Sequence, residues 1–328
     1  MNREKDKESL LSVKDLYVEY TSEGIGIHAV NGVSFDLKRG KTLGLVGETG
    51  AGKTSIAKAV LQVLPEFSTK HCSGIIEFEG KNLLNLSEDE IYKIRGEKIS
   101  MIFQDPMTAL NPVMRVGDQI AEGVKLHSNI SKKEAKARAV EMLEMVGIPA
   151  ERYVEYPHQF SGGMKQRVVI AIALACKPDL LLADEPTTAL DVTIQAQVLD
   201  MIVKLRNEMD MSMIMITHGL GVVAEVCDYV AVIYAGEIVE YGTLAEIYHN
   251  PSHPYTKGLF GALPDINGRA ERLQSISGMP PNPARLPEGC KFAPRCPYAS
   301  DRCTSAPVSL TVISGEHSCR CMQYEEEK

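Results

Sequence analysis

Tryptophan is missing from all 328 residues, and aromatic residues make up only 6% of the chain. Recognition built mainly on stacked aromatic rings is therefore not expected. Basic residues are in the minority, with 35 Lys and Arg against 43 Asp and Glu and a formal charge of −8. Such a chain lacks the global positive field of a nucleic-acid binder, although a local basic patch remains compatible with it. Long hydrophobic runs are lacking too. The longest wholly apolar stretch, residues 168–176, has nine residues, where about 20 are needed to cross a bilayer. The N-terminal MNREKDKESL is charged and has no apolar signal core, so the chain is expected to stay in the cytosol. What is present, 44% apolar and 24% charged residues, suits a globular protein with a sizeable core. At roughly 150 residues per domain the length allows two domains, or one large domain with an appendix.

Cysteine is sparse until the end of the chain. Cys72, Cys176 and Cys227 are scattered and read as small buried hydrophobes. Cys290, Cys296, Cys303, Cys319 and Cys321 crowd into the last 39 positions. A disulfide framework does not suit a reducing compartment, so the crowding points to a metal.

Alternating apolar and polar residues predict half-buried strands over 12–20, 29–37 and 74–78. Between the last two, KTLGLVGE reads as a short apolar strand, and a glycine-rich turn then opens into the helix-like KTSIAKAVLQVL. Strand, glycine loop and helix form the opening of an α/β unit. Residues from about 106 to 160 show few strand signals. Within them SKKEAKARAVEMLEMVG has helical spacing, a serine start and a glycine stop, so a mainly helical insert is expected. Beyond it come the strand DLLLAD, a helix through IQAQVLDMIVKL, the strand MSMIMIT, the helix LGVVAEVC and a hairpin turning at Ala235 and Gly236. Alternating strands and helices imply a mostly parallel sheet covered on both faces. Near Asn250 Pro and Gly accumulate, which predicts an extended, turn-laden appendix rather than more sheet.

The segment GETGAGKT, from Gly47 to Thr54, fits G-x-x-x-x-G-K-[ST] throughout. Its glycines let backbone N–H groups turn inward around phosphate oxygens, and the following helix start adds its positive dipole end. Lys53 would reach the β and γ phosphates, and the Thr54 hydroxyl would bind Mg²⁺. The apolar strand ending at Asp184 places a carboxylate where it could hold Mg²⁺ through a water. Glu185 follows at once, placed to polarise an attacking water. Phe160-Ser161-Gly162-Gly163-Met164 opens a long apolar helix. It offers either a second anion site or, with Ser161 as N-cap, an ordinary helix start.

In this order, the motifs make residues 12 to about 250 resemble the ATP-binding-cassette ATPases. FSGGM is similar to the family signature, usually LSGGQ; Phe160 and Met164 depart from it and the Ser-Gly-Gly core is kept. The stretch Thr188-Ala189-Leu190-Asp191 resembles the D-loop. Gln104, in MIFQDP, falls where the Q-loop glutamine belongs, and His218, after MIMIT, matches the switch histidine. Tyr20 sits where an aromatic residue stacks on adenine. Taken singly, Gln104, His218 and Tyr20 read as structural residues; their order and spacing make the set specific. Gly219 departs from related importers, which often carry Asp there.

The resemblance implies an α/β cassette over 12–250. Its parts are a mostly parallel RecA-like core sheet, an antiparallel β subdomain, the helical subdomain over about 106–160, and a Pro/Cys-rich C-terminal domain over 251–328. It implies ATP contacts from Tyr20, Gly47, Glu48, Thr49, Gly50, Ala51, Gly52, Lys53, Thr54 and Ser55. Thr54, Gln104 and Asp184 would attend Mg²⁺, Glu185 would act on water, and His218 would steady the γ phosphate. Two cassettes would meet head to tail, with Ser161, Gly162 and Gly163 serving the partner's ATP and Asp191 in the D-loop.

The wider sequence resembles one branch, the ATPases of dipeptide and oligopeptide (and nickel) importers. IFQDPMTALNP, YPHQFSGGMKQR, LLLADEPTTALDVTIQAQVL and GMPPNPARLPEGCKFAPRCPYASDRC carry that likeness. It implies ATP hydrolysis coupled to import, two transmembrane permease subunits and a second ATPase, either a copy or a paralogue. It also implies an extracytoplasmic substrate-binding protein, no nucleic acid, and a peripheral place on the cytoplasmic face of the membrane. In this branch the appendix carries a [4Fe–4S] cluster on four cysteines. Cys290, Cys296 and Cys303 match the first three ligands, with Cys321 first and Cys319 second choice for the fourth. Zinc is the main rival, since four thiolates satisfy it tetrahedrally, though the usual C-x₂-C spacing is absent. Free thiols are the third reading. Two other function classes compete. A soluble cassette ATPase of nucleic acid or translation would tend to carry two cassettes, a coiled coil or basic segments. A non-enzymatic subunit would usually have lost Lys53, Asp184 or Glu185, all present here.

Overall fold

The computed structural model describes residues 9–188, 190–262 and 276–325. The chain divides into two compact units. One is built mainly from Lys38–Thr42 and Asn85–Ile216, the other from Leu11–Leu37, Leu43–Leu84 and the described residues from Thr217 onward.

The first unit contains three parallel strands, Ile99–Ile102, Leu180–Asp184 and Ser212–Thr217, with Leu180–Asp184 in the middle. Their residues ISMI, LLLAD and SMIMIT are buried throughout. Near-continuous apolar runs of this kind are what parallel strands need when both faces are covered. Helix Gly162–Leu174 is apolar almost all round and packs on strand Ile99–Ile102 and on its neighbouring helices, as an all-round apolar helix must. Between strands Ile99–Ile102 and Leu180–Asp184 the described elements are all helical. They begin with Pro106–Ala109, Val116–His127 and Lys132–Met145. The serine start of the last of these is a capping box. Ser131 Oγ accepts from Glu134 N–H, and the Glu134 carboxylate accepts from Ser131 N–H at 2.8 Å. Gly147, at φ +76°, follows its C-terminal end.

In the second unit an antiparallel sheet runs in the order Ile25–Lys38, Ser9–Ser22, Thr69–Phe78, Lys81–Asn82. Strand Ser9–Ser22 buries Leu11 and Val13, then Leu16 and Val18, so the buried face changes parity. A register break between Lys14 and Tyr17, with Asp15 at φ +48°, accounts for it. An extra residue in one strand turns every later side chain to the other face. The second sheet of this unit pairs Thr42–Val46 in parallel with Tyr229–Tyr234, which folds back on Glu237–Thr243. Ala235 and Gly236, at φ +48° and +79°, make that turn, with the left-handed pair that suits the twist of a tight hairpin.

The expectation that the appendix adds no sheet is corrected. Strand His317–Cys319 pairs antiparallel with Glu237–Thr243, through Glu240↔Cys319, and strand Thr311–Ser314 pairs outside it. Strands of three and four residues are too short to show a period, and the edge they join supplies their order. Among the described residues no helix is long and apolar enough to cross a membrane.

Candidate nucleotide-binding site

The phosphate loop lies in the second unit, between strand Thr42–Val46 and helix Lys53–Leu61. A Cβ on Gly47 would stand 2.1 Å from the Ile233 carbonyl oxygen, and one on Gly52 would stand 2.2 Å from that of Ala29. Gly52 also has φ +100°, so both glycines are demanded by the backbone itself. Helix Lys53–Leu61 has no side-chain cap at its N-terminus, which leaves its first N–H groups suited to an anion. Lys53 is 5% exposed, and its ammonium donates to the carbonyls of Gly47 at 2.7 Å and Glu48 at 2.9 Å. The Tyr20 hydroxyl donates to Ser55 Oγ at 3.1 Å, which ties the predicted adenine-facing ring to this helix. Burial raises the Tyr20 pKa, so the phenol stays neutral. His218 stands exposed just past the end of strand Ser212–Thr217.

The carboxylate tip lies in the first unit. Asp184 ends its strand at 2% exposure. Glu185 has φ +45°, and its N–H donates to the Ile216 carbonyl at 2.9 Å. A non-glycine residue in the left-handed region is uncommon, and such strain concentrates at functional sites. Its Oε2 accepts from Gln104 Nε2 at 3.1 Å and from Thr188 Oγ1 at 2.8 Å. The structure thus brings Gln104 to Glu185 across 81 residues. It also adds Thr188, a residue whose sequence pattern assigns it only to the D-loop. A hydroxyl three residues after a carboxylate at a strand tip is the signal that could have found it.

The signature region belongs to the same unit. Ser161 caps helix Gly162–Leu174, its Oγ accepting from Met164 N–H at 3.4 Å. Asp191 likewise caps helix Val192–Glu208, accepting from Ile194 N–H at 3.0 Å. Ser161, Gly162, Gly163 and Asp191 line one open pocket of about 550 Å³, within the usual range for a small-molecule site. Arg152 explains both departures from the usual signature. Its guanidinium lies 4.5 Å from the Phe160 ring centroid, and its Nη1 donates to the Met164 sulfur at 3.3 Å. Phe160 and Met164 are soft partners for one cation.

At the C-terminal end, Cys290, Cys296, Cys303 and Cys321 line one small pocket together with His253 and Phe292. Cys319 is not among its lining residues and lies fully buried on strand His317–Cys319. Burial pushes the Cys290 thiol up to about 11 and raises Cys296 and Cys321. They are therefore thiols near neutral pH, and a metal would have to displace their protons. Burial also pushes the pKa of His253 down to about 3. Its neutral Nδ1 accepts from Tyr255 N–H at 3.0 Å and caps helix Pro254–Gly261. Among the described residues no group of three or more His, Cys, Asp or Glu stands around a single ion position.

Comparison with known proteins agrees with this geometry. The ABC transporter family matches residues 30–188, and the oligopeptide/dipeptide transporter C-terminal region matches residues 239–303. The dipeptide transport ATP-binding protein DppD of Bacillus subtilis is 50% identical, over 96% of this chain and 94% of its own length. The oligopeptide transport ATP-binding protein OppD of Escherichia coli is also 50% identical, over 92% of this chain and 89% of its own. Among solved structures, a dimeric ATP-binding cassette in a post-hydrolysis state with ADP and Pi superposes with a TM-score of 0.64. It is 26% identical and covers 71% of this chain and 98% of that one.

Proposed function

The chain belongs to the ABC transporter family, in the branch of oligopeptide and dipeptide transport ATP-binding proteins, and from that premise we propose how it works. It is an ATP-hydrolysing subunit that powers import of peptides. Its place is the cytoplasmic face of the membrane, against two permease subunits, beside a second ATPase and downstream of an extracytoplasmic substrate-binding protein. The grouping of Gln104, Glu185 and Thr188 carries the reading most directly, because it aims one oxygen of a strand-tip carboxylate and holds it there.

Lys53 and the N–H groups of the phosphate loop hold the β and γ phosphates, and Tyr20 stacks on adenine. Glu185 takes a proton from the attacking water, and His218 steadies the γ phosphate. Ser161, Gly162 and Gly163 face the nucleotide of the partner cassette, whose own signature closes over this phosphate loop. Thr54, Gln104 and Asp184 offer only oxygen donors, the set that Mg²⁺ prefers, and would hold it. When bound, the ion neutralises charge on the phosphates.

Docking on the permeases at the helical insert is supported by what the first unit leaves uncovered. Phe103, Met107 and Val113, beside Gln104 and at the start of the helical insert, are 42%, 60% and 80% exposed. They offer an apolar seat for a short helix from each pore subunit. Crosslinkers placed at Met107 or Val113 in the assembled transporter are expected to capture a permease, with a yield that changes on adding ATP. Co-purification of the chain with its membrane subunits tests the transporter reading itself. Crosslinks confined to residues 251–328 would exclude this route.

The reading extends to a [4Fe–4S] cluster on Cys290, Cys296, Cys303 and Cys321, and what favours it is the type of donor these residues offer. Four cysteines lining one pocket in turn-rich chain are the donor type such clusters use. When bound, a cluster ties the end of the chain to residues 290–303 and supplies a one-electron centre. Protein purified without oxygen is expected to be brown, with about four iron and about four sulfide per chain. Cys321→Ser should lose both, whereas Cys319→Ser should keep most of them. A colourless preparation with one tightly bound zinc and no sulfide would replace the cluster by zinc.

A further inference from the structure

Glu48 is an awkward residue for a phosphate loop. A carboxylate inside a loop that receives a polyanion repels it, and the repulsion grows as water is excluded. In this protein that carboxylate is neutralised from far along the chain. Arg295 meets it with both ends of its guanidinium, Nη1 to Oε2 at 2.9 Å and Nη2 to Oε1 at 3.1 Å. The Arg295 side chain is 6% exposed. Its remaining donors are engaged too. Nε donates to the Ser277 carbonyl at 3.0 Å, Nη2 to that of Ile276 at 3.4 Å, and Nη1 to the Tyr234 hydroxyl at 3.3 Å. A guanidinium has five N–H donors in a rigid fork, and here the fork is anchored on all sides.

The rest of Glu48 is held as well. Its N–H donates to the Tyr255 hydroxyl at 3.0 Å, and its carbonyl accepts from Lys53. Tyr234, Tyr255 and Phe292 pack ring on ring, with centroids 4.6 to 5.4 Å apart, and so brace the two hydroxyls. Pro280, Pro281 and Pro283 share a small pocket with Thr49, Gly50 and Ala51. Every one of these contacts on the loop, apart from those of Tyr234 and Lys53, comes from beyond residue 250.

We infer that Arg295 is a positioning residue for the phosphate loop, which cancels the Glu48 charge and holds that residue so that the loop can accept the phosphates of ATP. This rests on the nucleotide reading given above. The pairing fixes the sign of the expected effects. Without Arg295 the Glu48 carboxylate, whose side chain is 27% exposed, is left unpaired beside the phosphates, and breaking one side of a partly buried ion pair costs more than removing both. Arg295→Gln in the full chain is expected to weaken ATP binding about tenfold, measured by calorimetry with MgATP. Adding Glu48→Gln to that variant should recover most of the loss, because the repelling charge goes with its partner. Arg295→Lys, which keeps the charge without the fork, should fall between wild type and Arg295→Gln. If Arg295→Gln does not fold, Arg295→Lys alone, expected to bind ATP more weakly than wild type, and the Arg295→Gln/Glu48→Gln double variant, which leaves neither charge unpaired and is expected to bind close to wild type, read the same effect. A double variant that binds ATP no better than the single one, or worse, would overturn the inference. Lys53→Ala serves as the separate control. Were it to bind ATP as wild type does, the nucleotide reading itself would fail, whatever Arg295 does.

Discussion

Glu185→Gln should bind ATP, lock the paired cassettes closed and lose hydrolysis by roughly a hundredfold or more, the scale of lost acid–base help. The substitution keeps size and shape. The Thr188 hydroxyl, 2.8 Å from Oε2, can still donate to an amide oxygen, so the strand tip keeps its conformation. What disappears is the negative charge that, in the proposed mechanism, takes a proton from water. The left-handed backbone at φ +45° points the same way. A residue held in a costly backbone conformation, with its carboxylate aimed by Gln104 and Thr188, fits the role proposed for Glu185. The measurement is steady-state phosphate release by the assembled transporter, with retained nucleotide counted after rapid filtration. Near-normal turnover in that assay would take Glu185 out of the mechanism.

Lys53→Ala should fail one step earlier. Lys53 is buried, and its ammonium lies within 2.7 to 2.9 Å of two loop carbonyls, where in the proposed site arriving phosphates would compete for its protons. Charge-assisted bonds to phosphate contribute about 1.5–3 kcal/mol each. ATP affinity is therefore expected to fall by about one to two orders of magnitude, with hydrolysis falling through lost binding. Equilibrium binding separates the two variants: tight binding without turnover for Glu185→Gln, weak binding for Lys53→Ala. A Lys53→Ala protein that binds ATP as tightly as Glu185→Gln would contradict the role given to the ammonium.

Much of the first unit is legible in the amino-acid order alone. Ser131 and Gly147 bound their helix where caps are expected, and ISMI, LLLAD and SMIMIT form buried parallel strands. Local rules act there, since a cap or an apolar run depends on a handful of adjacent residues. Other features escape for the opposite reason. The parity change after Asp15 needs a bulge that only pairing with strand Thr69–Phe78 reveals. The strands Thr311–Ser314 and His317–Cys319 are too short to signal themselves and owe their existence to the edge of Glu237–Thr243.

By itself the sequence determined the family and the chemistry. G-x-x-x-x-G-K-T must turn tightly and face phosphate, because glycine geometry and a lysine leave few other uses for that pattern. Asp184 and Glu185 must end a buried strand, because LLLA cannot lie in water. Tertiary structure alone decided which distant groups aim these residues. Nothing in the spacing of Gln104, Glu185 and Thr188 says that the first and last share one carboxylate oxygen of the second. Nor does anything near Glu48 announce an arginine 247 positions later. Of Cys319 and Cys321, two residues apart, the family resemblance ranks Cys321 first, and the packing that puts it on the pocket of the other three cysteines is visible only in the fold. The physical reason is common to all three. Local propensity and periodicity are set by neighbours in the chain, while the partner of a charge or thiol is set by packing. Packing brings together residues whose separation in sequence carries no energetic signal.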